Sequence, residues 1–136
     1  MAKLTEEMKE LVERQRLGFV ATVCPDGTPN LSPKGTVSNL RTNPNVEVNV
    51  VDHFVRKGYR FKGTAQVLDS GPDFDRHVEF FSKRGVFDAR GRIRAIVTVR
   101  VDQARPLISP GYDHVPDEAT ARAYWLKYYV SETGAV

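Results

Sequence analysis

The sequence holds a single cysteine, Cys24. One thiol excludes an internal disulfide, and it excludes the paired thiolate spacing of a zinc site. Placed just after an apolar run, Cys24 reads as a small half-buried hydrophobe. Long apolar runs are also missing. No stretch is long enough to span a bilayer, and the segment from Met1 to Glu7 lacks the apolar centre of a signal peptide, so the expectation is a soluble cytoplasmic chain with no membrane partner. Neither sign of charge dominates: 20 Lys and Arg against 17 Asp and Glu leave a net charge of +3, basic but not extreme. There is no GxGxxG or Walker loop, no repeat, no linker and no low-complexity segment. The histidines His53, His77 and His114 are scattered and read as surface or capping residues. With no Ser-His-Asp order and no paired carboxylates, no metal site is expected and no catalytic residue can be assigned.

What is present is the patterning of one mixed domain, since 136 residues match the usual domain size of about 100–200. Leu4, Met8, Leu11 and Val12 fall on one stripe at helical spacing. Phe19 to Val23 form an apolar strand that runs into the turn Pro25-Asp26-Gly27. Val46, Val48 and Val50 alternate with Glu47 and Asn49, and Tyr59 and Phe61 alternate with Arg60 and Lys62, as in half-buried strands. Ser70-Gly71-Pro72-Asp73 starts a helix whose buried side carries Phe74, Val78 and Phe81. A long strand is expected where Ile93, Ala95, Val97, Val99 and Val101 alternate with Arg92, Arg94, Thr98 and Arg100. Ala121, Tyr124, Trp125 and Tyr128 mark a C-terminal helix rich in aromatics. Several strands joined by short turns, with three short helices, predict an antiparallel barrel with peripheral helices rather than a wound parallel sheet.

The most informative stretch is the polar run PNLSPKGT that follows the Asp-Gly turn. It offers two hydroxyls, the Lys34 ammonium and a glycine that lets backbone N–H groups approach an anion. Basic residues gather downstream at Arg56, Lys57, Arg60 and Lys62, and again at Lys83, Arg84, Arg90, Arg92 and Arg94, which suits a phosphate-bearing cofactor or substrate.

Three segments in order, G-F-V-A-T-V-x-x-D-G-x-P-N-L-S-P-K-G, N-L-R-x-N-P-x-V-E-V-N-V-V-D and G-Y-R-F-K-G-x-A, resemble the pyridoxamine 5'-phosphate oxidase-like FMN-binding split-barrel family over about residues 4–112. The resemblance implies a six-stranded antiparallel split β-barrel with short flanking helices, binding FMN at a homodimer interface. It puts Ser32, Pro33, Lys34, Gly35 and Thr36 on a strand bordering the flavin ring and its phosphate tail, with Lys34 gripping the phosphate. Ser38 and Asn39 stand at a second phosphate-contacting turn, and Gly58 at a flavin-contacting position held by Gln in the vitamin-synthesising members. Phe80 replaces a substrate-contacting Tyr of those enzymes, while Arg84 matches a substrate-phosphate Arg. The C-terminal Trp and Arg-x-His elements are absent, so the implied protein is a small FMN-dependent oxidoreductase other than an authentic pyridoxamine phosphate oxidase. The family pattern also carries a further strand, turn and strand, on the order of 15 residues, between Thr36 and Val37, so an additional segment is expected at that junction.

Three alternatives stand beside this reading. One is a flavin-binding or storage module without turnover. The second keeps the barrel with a deazaflavin or haem ligand. The third and weakest is a basic barrel that binds nucleic acid through Tyr59, Phe61 and the cations around them. The substrate is expected to be a small molecule of unassigned identity.

Overall fold

The computed structural model describes residues 3–15, 17–85 and 89–132, without the side chains of residues 89, 90 and 132. The Arg90 side chain of the second basic cluster therefore lies outside the described residues.

The first helix, α1 (Glu6–Arg14), begins where Thr5 accepts a hydrogen bond from the Met8 N–H at 3.3 Å; Glu6 and Glu7 in its first turn and Arg14 in its last suit the helix dipole. β1 (Gly18–Val23) then leads into a tight turn. Its Gly27 has φ 85° and donates to the Cys24 carbonyl at 2.9 Å, and Asp26 Oδ1 accepts from both the N–H and the hydroxyl of Thr28. β2 (Pro29–Asn30) returns antiparallel, pairing Thr22 with Asn30 and Val23 with Pro29. It lasts two residues. α2 (Thr36–Thr42), β3 (Asn45–Asp52), β4 (Lys57–Leu68), α3 (Pro72–Lys83), α4 (Ala89–Arg92), β5 (Ile96–Ile108), the 3-10 helix η1 (Pro110–Asp113) and α5 (Glu118–Glu132) follow. The four residues between β3 and β4 make them an antiparallel hairpin.

Among the described residues five strands form one mainly antiparallel sheet in the order β2-β1-β3-β4-β5, with helices at its periphery. The mainly antiparallel sheet with peripheral helices is as expected, but the sheet is unclosed and has five strands where the split barrel was expected to have six. The physical reason lies after β2: Pro33 has no N–H to give a ladder, Gly35 takes φ 83°, and the chain enters α2 instead of a strand. Gly35, Thr36, Val37 and Ser38 follow one another through the first helical turn, which the Asn39 N–H closes onto the Gly35 carbonyl at 2.8 Å. Thr36 and Val37 thus open α2.

Two compact units are present. One comprises Val20–Glu47 and Lys62–Asp102; its buried residues include Leu40, Val46 and Ala65, and Val78 of α3 packs with Ile96, Leu68, Phe74 and Ile93. Phe81, expected on the buried side of α3, is exposed and meets Phe80 edge-on at 5.6 Å. β5 starts at Ile96 rather than Ile93, because α4 occupies Ala89–Arg92 and Ile93 spends its apolar side chain on the Val78 cluster. The other unit comprises Ala2–Phe19, Val48–Phe61 and Gln103–Val136, with Leu11, Val50, Val55, Phe61 and Ala121 buried. Here β5 runs on through Pro106, which the outermost strand of a sheet tolerates. α5 buries Ala121 and leaves Tyr124 and Tyr128 exposed, so only part of its aromatic face is covered.

Candidate functional site

In the first unit the run from Pro29 to Asn39 folds on itself around Asn30. The Asn30 amide nitrogen donates to the Ser32 and Lys34 carbonyls at 3.1 and 3.3 Å, and its Oδ1 accepts from the Ser32 N–H at 3.2 Å. Ser32 Oγ accepts from the Lys34 N–H at 3.2 Å, and the Thr36 hydroxyl donates to the Ser32 carbonyl at 3.0 Å. These short-range bonds are the local competition that Ser, Thr and Asn offer to a ladder, and they turn the expected strand over Ser32–Thr36 into a loop. Ser38 donates its hydroxyl to the Gly35 carbonyl at 2.9 Å. Asn39 is buried and donates to Thr22 Oγ1 at 3.1 Å and to Cys24 Sγ at 3.6 Å, so its amide latches α2 to β1. Cys24 is half-buried, as its surroundings in the sequence suggest.

What the loop leaves free is an exposed Lys34, whose ammonium has no partner among the described residues, and the proton of the exposed Ser32 hydroxyl. Together they offer a cation and a hydroxyl donor, a set suited to a phosphate group, on a loop that Asn30 ties together. The Thr36 and Ser38 hydroxyls are already committed to backbone carbonyls.

Phe80 and Arg84 lie in the same unit, near the C-terminal end of α3, with the Arg84 guanidinium 4.4 Å from the Phe80 ring centre. Gly58 belongs to the other unit. A Cβ there would stand 2.1 Å from the Val50 carbonyl oxygen and 2.8 Å from Val51 Cα, so the close approach of β3 and β4 demands glycine. Sequence reasoning assigned Gly58 from a family position; the backbone supplies its own reason for it.

The second unit holds a cavity of about 210 Å³ that sequence reasoning missed. Asp52 lies against it. Its Oδ1 accepts from the N–H groups of Phe54 and Val55 at 3.0 and 3.3 Å, and its Oδ2 from Arg122 at 3.0 Å. Burial pushes the Asp52 carboxyl up, but the Arg122 hydrogen bond and the two N–H groups outweigh it and hold the carboxyl below its ordinary value. Lys57 bonds Glu118 at 3.0 Å, which raises the ammonium above its usual range, and also lies 4.3 Å over the Tyr112 ring. Burial raises the Tyr59 phenol, and a hydrogen bond with Glu7 adds to the rise. Asp52 and Arg122 are 70 positions apart and Lys57 and Glu118 are 61 apart, which is why no local pattern announces them.

Beside it, Arg56 covers Trp125 next to an apolar recess of about 130 Å³ walled by Val55, Tyr112, Val115 and Tyr124. His53 is exposed, 4.1 Å from the Phe54 ring and 5.7 Å from Tyr129. No group of three or more His, Cys, Asp or Glu side chains among the described residues could hold a metal ion. No described helix is long and apolar enough to cross a membrane.

The likeness to solved structures is that of the pyridoxamine 5'-phosphate oxidase-like split-barrel fold. Among solved structures, the chain is similar to HupZ of Group A Streptococcus, at 28% identity and a TM-score of 0.66, covering 79% of this chain and 96% of that one. It is also similar to HutZ of Vibrio cholerae, described as the haem storage protein, at 18% identity and a TM-score of 0.62 over 79% of this chain and 95% of that one. A Clostridium acetobutylicum protein related to general stress protein 26, of the pyridoxinephosphate oxidase family, matches at 17% identity and a TM-score of 0.57 over 75% and 86%. No protein-family profile and no curated protein sequence matches the chain.

Proposed function

We propose that the chain is an FMN-binding flavoprotein acting as a small oxidoreductase on an unassigned small-molecule substrate. The observation that carries this reading is the Asn30-ordered loop, which presents the free Lys34 ammonium and the Ser32 hydroxyl together. Lys34 would neutralise the cofactor phosphate and Ser32 would donate to one of its oxygens, while Phe80 and Arg84 offer a ring face and a cation to the substrate. Bound FMN would supply the redox chemistry; the protein's part is to hold, orient and shield it. A second copy of the chain covering the exposed Tyr124 and Tyr128 belongs to this reading and is tested by sedimentation at micromolar concentration, where twice the chain mass is expected.

A haem ligand is the second reading, supported by the likeness to HutZ and by the exposed His53 imidazole between two aromatic rings. Titrations of the apo-protein with FMN, followed by fluorescence, and with hemin, followed by absorbance, decide between them. Saturable quenching of flavin fluorescence supports the first, a shifted Soret band lost in His53→Ala supports the second, and the absence of both removes the cofactor reading.

A further inference from the structure

The cavity of the second unit is lined by charges of both signs. Its lining includes the apolar side chains of Leu11, Val55, Leu107 and Ile108. Five of the charged groups around it are already bound, Asp52 to Arg122, Lys57 to Glu118 and Glu7 to the Tyr59 phenol. Glu10 and Arg14 are not: one helical turn apart on α1, both line the cavity, and among the described residues neither side chain has a hydrogen-bond or ion-pair partner.

We propose that this cavity is a binding site for an amino-acid-sized zwitterion with an apolar side chain, its carboxylate taken by Arg14 and its ammonium by Glu10. The size agrees. At about 30 Å³ per water molecule, the cavity of about 210 Å³ has room for about seven waters, close to the nine non-hydrogen atoms of leucine. A guanidinium offers a carboxylate two parallel N–H donors, a carboxylate accepts from an ammonium, and Leu11, Val55, Leu107 and Ile108 add apolar lining for a side chain. An inorganic anion would meet Glu10 and Glu7 as repulsive neighbours, and a simple amine would leave Arg14 without a partner. A molecule carrying both charges satisfies both groups at once. The cavity lies in the other unit from the Lys34 loop, so this site does not depend on the flavin reading.

Calorimetric titration of the full chain with L-leucine, 4-methylpentanoate and 3-methylbutylamine tests the assignment. Leucine is expected to bind at least about 10-fold more tightly than either singly charged analogue. Arg14→Gln should weaken leucine by about 10-fold to 100-fold without changing the amine, and Glu10→Gln should weaken leucine and the amine without changing the carboxylate. Glu13→Gln, on the same helix but outside the cavity, should bind like the parent. Both cavity positions are exposed in the free protein, so unchanged circular dichroism is expected to accompany each substitution. No leucine binding at millimolar concentration, or binding indifferent to both substitutions, overturns the proposal.

Discussion

The Arg56 guanidinium carbon lies 3.3 Å from the centre of the Trp125 ring, held there by a backbone with φ 52°. Among the described residues Arg56 is the only non-glycine with positive φ. The left-handed conformation costs about 1–2 kcal/mol in an L-residue, and a desolvated cation over tryptophan returns about as much. The hairpin tip and α5 thus hold each other.

Arg56→Ala keeps the strained backbone and loses the ring contact, so it should destabilise the protein by about 1–2 kcal/mol. Arg56→Gly also relieves the strain and should be nearly neutral. Urea unfolding midpoints of the two variants, repeated in a Trp125→Leu background, separate the terms; equal losses for Ala and Gly would remove the strain argument.

Asp52 sets an acid limit on stability. Its folded carboxyl lies below the unfolded value of 3.8, so its contribution is fully present above that value and disappears as pH falls through the lower folded one. Asp52→Asn should cost about 1–2 kcal/mol at pH 7, discounted because Arg122 is half exposed, and the difference from the parent should close below about pH 3. Urea titrations from pH 2.5 to pH 7 measure it, and a gap that persists at the acid end counts against the ion pair.

Gly58→Ala should be poorly tolerated, since the added methyl meets backbone rather than a movable side chain; a loss of about 3 kcal/mol or more is expected. Gly91→Ala, with nothing within 4 Å of its Cβ, should leave the melting temperature within about 2 °C of the parent.

Lys34→Ala should weaken FMN by about 10-fold to 100-fold while leaving thermal stability unchanged, because the side chain has no partner among the described residues to lose. Fluorescence titration gives the affinity. An unaltered dissociation constant would take Lys34 out of the phosphate site.

Period-two alternation made β3 and the start of β4 legible, and the stripe Leu4, Met8, Leu11 and Val12 made α1 legible, because these signals act over a few residues. The strand read over Ser32–Thr36 failed on equally local chemistry: Asn30 and Ser32 bond neighbouring backbone groups, a competition that apolar patterning does not register. The loop residues were therefore visible as a set while their conformation was not. The second-unit cavity was out of reach for a different cause. Asp52 meets Arg122, and α1 meets the end of β5, only after non-local pairing has formed.

Pro106 on the outermost strand β5 has a consequence for self-assembly. An incoming extended chain would find no N–H at that position, and Arg100, Asp102 and Arg105 along the same strand would have to be stripped of water or meet like charges. Stacking of copies into a cross-β fibre is therefore disfavoured along this rim, and substituting Pro106 by a β-branched residue should make the protein more prone to aggregate without altering its fold.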